Sequence, residues 1–164
     1  CPTYPEYAEE MIEYLKITAA ETPFVLRYPD EVNYTLEGEK EILGRLLEDE
    51  GSVMMLAVVD GKVAGNASIN GIGNKRKILH RCSLAIALKK EYWNLGIGRE
   101  MIEYLIELAK QIGFEQMDLE VVDGNDNAKH LYEKCGFVKT GKRMRALKDD
   151  DGTYWDETIM SRLL

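Results

Sequence analysis

The stretch "SLAIALKKEYWNLGIGREMIEYLIELAKQIGFEQMDLEVV", residues 83–122, does most to fix what this chain folds into. It opens on an apolar strand run and passes through Gly96-Ile97-Gly98. An amphipathic helix follows, with Ile97, Met101, Leu105 and Leu108 on one stripe. Gly113 suits the residue just past a helix end, and "QMDLEVV" reads as a second strand. Strand, helix and strand in that order make a β–α–β unit, whose two strands run parallel.

The rest of the chain does not repeat that unit. Residues 6–20 place Ala8, Met11, Ile12, Leu15 and Ala19 on a helical stripe, which Pro23 ends. Residues 36–49 carry Ile42, Leu43, Leu46 and Leu47 at the same spacing. The period then changes. "SVMMLAVVDGKVAGNASING" holds two strand runs around Asp60-Gly61, a hairpin signal. A third strand is expected over 78–88. After the β–α–β unit come a short helix, "NDNAKHLYEKC", and two strands flanking "KDDDG". The expected fold class is α+β: a twisted mixed sheet, an antiparallel meander followed by a β–α–β unit, with helices on both faces.

Composition narrows the function. The chain has 164 residues, enough for one domain with a sizeable core, and a formal net charge of −8. That balance argues against nucleic-acid binding, which rests on basic patches, and suits a cationic or amine-bearing partner. No apolar run approaches the roughly 20 residues of a membrane span, and no segment reads as a signal peptide. Three cysteines, Cys1, Cys82 and Cys135, have no zinc spacing, and only His80 and His130 are histidines. A cytoplasmic protein without a metal is expected. The triple Asp before Gly152 lacks the alternating ligands and flanking helices of a calcium loop and reads as a hairpin tip.

Three functions compete for the glycine loop. A dinucleotide fingerprint needs a third glycine where Met101 stands, and a phosphate-binding Walker loop needs Lys-Ser/Thr where Arg99-Glu100 stands. A ligand-free tight turn remains open. The third function is an anion cradle: main-chain N–H groups of Asn94 to Gly98 at a helix start, with glycine allowing close approach.

The window Trp93-Asn94-Leu95-Gly96-Ile97-Gly98 resembles motif A of the GCN5-related N-acetyltransferases, Gln/Arg-x-x-Gly-x-Gly/Ala, with Trp93 standing where the family usually has Gln or Arg. "GNDNAKHLYEKCGF" resembles their motif B, with Asn125, Ala128, Leu131, Tyr132, Gly136 and Phe137 at matching positions. The resemblance covers residues 53–162 well, and the first helices loosely. The family's first strand is not evident before residue 5, so a single domain over 1–164 that lacks this strand is expected.

The resemblance implies acetyl-coenzyme A as cosubstrate. It implies that Trp93, Asn94, Leu95, Gly96, Ile97 and Gly98 contact its pyrophosphate, and that the main chain around Ile86 and Leu88 pairs with the pantetheine arm like an added strand. Asn125 serves as a cofactor contact, a helix cap or both. Tyr132 is implied as general acid, against the alternative of a half-buried packing residue. Gly136 and Phe137 read as a helix stop and a core anchor.

Acetyl transfer to an amine requires a neutral nucleophile, and free alkyl amines have pKa values near ~10. A base must therefore take a proton, usually through water. The carbonyl needs a donor, for which the Leu88 N–H is a candidate. The departing thiolate, of pKa ~8.5, needs a proton that Tyr132 could give. Glu120 in "LEVV" is the expected base, an arrangement resembling members that acetylate protein N-termini; strand alternation leaves open that it faces solvent instead. His80 is the other candidate. Transfer is expected to be direct, since neither Cys82 nor Cys135 has an evident activating base.

The expected acceptor is a small-molecule amine such as an amino acid or polyamine. The nearest alternative is the N-terminus of a ribosomal or other protein. A non-catalytic acyl-coenzyme A sensor is the alternative from another class. A homodimer is expected from family habit.

Overall fold

The computed structural model describes residues 1–49 and 51–164. In chain order the elements are α1 (Ala8–Glu21), α2 (Leu36–Glu48), β1 (Ser52–Val59), β2 (Lys62–Gly71), β3 (Arg81–Leu88), α3 (Ile97–Ile112), β4 (Gln116–Val122), α4 (Asp126–Lys134), β5 (Val138–Lys148) and β6 (Tyr154–Leu163). The six strands form a sheet in the order β1-β2-β3-β4-β6-β5. β3 and β4 run parallel; β1 with β2, β4 with β6, and β5 with β6 run antiparallel. This is the expected mixed α+β architecture. Two compact units divide the chain, and β3 and α3 each contribute residues to both.

The first unit comprises Cys1–Asn70 and Ala85–Ile102. Its core gathers Ala8, Met11, Tyr14 and Leu15 of α1, Leu43 of α2, Leu56 of β1 and Val63 of β2, with Val32 from the intervening loop. The α1 stripe thus includes Ala8, Met11 and Leu15 as expected, with Tyr14 rather than Ile12 buried among them. Asp60 (φ 49°) and Gly61 (φ 78°) turn the β1–β2 hairpin, two positive φ values in sequence that match the twist of the flanking strands. Ahead of α1, Cys1 exchanges both main-chain bonds with Leu56, each at 2.7 Å, and Pro2 bridges to Met55 in antiparallel fashion.

The second unit comprises Gly71–Leu84 and Glu103–Leu164. β3 begins at Arg81, three residues later than expected. Ile78 donates to Lys75 O at 2.9 Å and Arg81 to Ile78 O at 3.2 Å, so local turns take the backbone groups that a ladder would use. Gly113 (φ +103°) ends α3: its own N–H and that of Phe114 both reach Ala109 O. Gly136 (φ +84°) does the same for α4, with Phe137 N–H on Tyr132 O.

Two partly buried carboxylates tie this unit together. Asp118 accepts from Arg81 at 2.6 Å, Ser161 at 2.6 Å and Gln116 at 2.8 Å. Burial pushes its carboxyl up, but the Ser161, Gln116 and Arg81 bonds outweigh it and hold it below the usual range. Asp123 accepts from Lys129 at 2.8 Å, Thr158 at 2.7 Å and Lys142 at 3.0 Å, and these bonds hold it far below the usual range. A depressed native pKa stabilises the fold above the unfolded value of ~3.9 and is lost as pH falls through the native value. Urea melts should therefore show stability level above about pH 4 and falling below it, with a flatter acid slope in the D118N/D123N double variant. An unchanged slope in that variant would show that these carboxylates do not govern the acid response.

Candidate active site

In the first unit, the chain leaves β3 through a short turn. Lys89 N–H bonds Ala64 O at 2.9 Å, Tyr92 bonds Lys89 O and Trp93 bonds Lys90 O, both at 3.0 Å. The backbone then takes two left-handed steps, Asn94 (φ 60°) and Gly96 (φ 87°), which suit an asparagine and a glycine. The first main-chain bond of α3 runs from Glu100 N–H to Gly96 O at 3.1 Å. Among the described residues, no acceptor meets the N–H groups of Asn94, Leu95, Gly96, Ile97 and Gly98. A Cβ on Gly96 would have nothing within 4 Å. Five open amides at the start of a 16-residue helix make a site for a negatively charged oxygen cluster. The residues present therefore fit a pyrophosphate.

The end of β3 is held from two directions. Tyr14 of α1 donates its hydroxyl to Ala87 O at 3.0 Å and lies 2.7 Å from Asn66 Oδ1. Trp93 donates its indole N–H to Leu88 O at 2.8 Å, with Lys90 Nζ 5.9 Å from the ring centroid. Because Lys89 turns its main chain toward β2, strand alternation turns that of Ile86 and Leu88 to the other edge. The β3–β4 ladder ends at Ser83↔Asp118, three residues before Ile86. Trp93→Phe removes the indole bond and should lower stability by about 1 kcal/mol, or about 2–4 °C in a thermal melt. An unshifted melting temperature would show the bond contributes nothing.

In the second unit, Asn125 caps α4: its Oδ1 accepts from Ala128 N–H at 3.3 Å. Tyr132, on the buried side of α4, meets Phe137 edge to face at 6.1 Å between ring centroids. Burial, and secondarily the neighbouring Cys135, push its phenol up to about 12. Its hydroxyl has no partner among the described residues.

Glu120 alternates with Leu119 and Val121, which are buried, and is itself 46% exposed. It does not stand alone: Arg143 Nη2 meets its Oε1 at 2.6 Å. Leu119 and Val121 lie opposite Met160 and Thr158 of β6. That face carries α4, through Thr158 on Asp123 beside Lys129, and through Arg162 on Cys135 O. Glu120 and Tyr132 thus belong to opposite faces of β4. His80 uses its carbonyl to accept from Glu115 and Gln116, at 2.8 and 3.1 Å.

Cys82 is fully buried, and its thiol is pushed up to about 11 by burial and then by Asp118. Among the described residues no group of three or more His, Cys, Asp or Glu is placed to hold a metal ion, and no helix is long and apolar enough to cross a membrane. Sequence reasoning missed Tyr14 and Arg143. Neither carries a motif, since each acts through a partner more than 20 residues away.

The sequence matches the Acetyltransferase (GNAT) family over residues 7–137. An acetyltransferase of the GNAT family from Streptococcus pneumoniae superposes with a TM-score of 0.89 at 30% identity, covering 98% of this chain and 96% of that one. Streptothricin acetyltransferase of Streptomyces lavendulae is 30% identical over 77% of this chain and 64% of its own length. A protein described as "Probable N-acetyltransferase camello", from Xenopus tropicalis, is 32% identical over 56% of this chain. The chain spans 41% of the length of that relative. This chain belongs to the GNAT family of acetyltransferases, acyltransferases that use acetyl-coenzyme A.

Proposed function

We propose that this chain moves an acetyl group from acetyl-coenzyme A directly onto the primary amine of a small molecule, such as an amino acid or a polyamine. The observation that carries the reading is the row of open amides from Asn94 to Gly98 at the start of α3. When bound, acetyl-coenzyme A supplies an activated thioester. The loop amides hold its pyrophosphate, with Trp93 fixing the loop's start. Ile86 and Leu88 offer main-chain partners to the pantetheine arm, and the Leu88 N–H polarises the acetyl carbonyl. Asn125 orders the start of α4 and contacts the cofactor. Tyr132 offers its proton to the departing sulfur, and Glu120 relieves the incoming ammonium of a proton through water.

The net charge of −8 supports a cationic acceptor. The relative named for streptothricin supports a small one. A cytoplasmic homodimer completes the proposal; light scattering at twice the chain mass would bear out the dimer.

A panel of small amines and N-terminal peptides, followed by release of free thiol, tests the reading. Turnover confined to small amines is expected. Turnover confined to peptides would replace the acceptor with a protein N-terminus. Tight acetyl-coenzyme A binding with no thiol release across the panel would make the chain a sensor and overturn the enzyme reading.

A further inference from the structure

Glu120 projects from the face of β4 that it shares with Ile159 and Glu157 of β6. On β5, Arg143 stands opposite Glu157 in register. Its Nη2 reaches Glu120 Oε1 at 2.6 Å and its Nη1 reaches Glu157 Oε2 at 3.0 Å. One planar guanidinium therefore bridges carboxylates on two strands, a geometry that lysine cannot reproduce. The two carboxylates are unequal. Glu157 is 13% exposed and Glu120 46%, so Glu157 is the anchor and Glu120 the arm that would otherwise sample several rotamers.

The backbone around Arg143 is also specialised. The β5–β6 ladder slips between Arg143 and Leu147, where Arg145 takes φ 51° and gives its N–H to Asp156 Oδ1 at 2.8 Å. Such a bulge re-aims the side chains beside it. Asp118, two residues before Glu120 on the same face, is occupied by Arg81, Ser161 and Gln116. Arg143 is thus the cation that meets Glu120, and it takes Oε1. No partner meets Oε2 among the described residues.

We propose that Arg143 is a positioning residue for the acetyl-transfer reaction: anchored on Glu157, it fixes the aim of Glu120 and leaves one carboxylate oxygen to receive the acceptor's proton. The inference rests on the reading of Glu120 as base. In it, Arg143 touches neither acetyl-coenzyme A nor the amine, and acts on the rate only through Glu120.

The test is steady-state thiol release by the full chain with its best amine. Arg143→Met should lower kcat about five-fold, the scale of an exposed charged pair. The KM for acetyl-coenzyme A and the cofactor-induced rise in melting temperature should not change. Arg143→Lys should recover part of the loss. The E120Q/R143M double variant should be no slower than E120Q alone, within about two-fold, because the arginine has no target once the carboxylate is gone. Wild-type kcat in Arg143→Met, or losses that multiply in the double variant, would overturn the inference while a slow Glu120→Gln kept the base. Wild-type kcat in Glu120→Gln would remove the base reading itself, and this inference with it. Should Arg143→Met fail to fold, Glu157→Gln keeps the question open to measurement: a smaller kcat loss, absent on a Glu120→Gln background, supports the bridge, and an unchanged kcat refutes it.

Discussion

Replacing Tyr132 by phenylalanine slows thiol release about 100-fold, the low end of what a positioned acid supplies, and leaves the acetyl-coenzyme A-induced rise in melting temperature intact. Phenylalanine keeps the ring against Phe137, so the fold should tolerate the change. The modest size follows from the chemistry. A thiolate of pKa ~8.5 leaves without much help. The phenol, pushed up to about 12 by burial and then by Cys135, stays protonated throughout the working range. It therefore carries its proton, ready for the departing sulfur, at every working pH. The rate should accordingly show no alkaline fall traceable to Tyr132 below about pH 10. A variant with unaltered kcat would return Tyr132 to a packing role.

Gly96→Val abolishes the thermal shift caused by acetyl-coenzyme A and costs about 1–3 kcal/mol of stability. The stability cost arises because a β-branched residue is forced to φ +87°. The binding cost has a separate origin. Apart from its chain neighbours, nothing lies within 4 Å of the new Cβ, so the added methyls stand in open space at a loop position that carries the open amides. Gly152 offers the control. It has φ +90° and equally open surroundings, but sits at the β5–β6 hairpin tip. Gly152→Val should lose similar stability and keep the full cofactor shift. Equal loss of binding in both variants would mean that strain, not the cradle, accounts for the effect.

Much of this architecture could be read from local pattern. The Asp60-Gly61 hairpin, the α3 helix and the glycine stops at 113 and 136 each depend on a few consecutive residues, and each stands where the pattern put it, although the buried face of α3 runs through Met101, Ile102, Leu105, Ile106 and Ala109 and leaves Ile97 and Leu108 half-buried. The family was legible for the same reason, because both motifs are short runs with fixed spacing. What escaped depends on register across the sheet. Nothing local says that β6 inserts between β4 and β5, and that insertion sets Arg143 opposite Glu157, from where it reaches across β6 to Glu120. The late start of β3 escaped because Ile78 looks like a strand residue and is used in a turn. Trp93 departs visibly from the motif, but its bond to Leu88 O depends on a ring that folds back over five residues, which no pattern encodes.

The hydroxyl of Tyr14 fastens the first helix to the last turn of β3 at Ala87 O. Hydrogen exchange at Lys89 and at the Tyr14 turn of α1 should consequently slow and quicken together. Whatever loosens that helix would loosen the end of β3, so under the proposed function substitutions far from the reacting atoms would register as lost turnover.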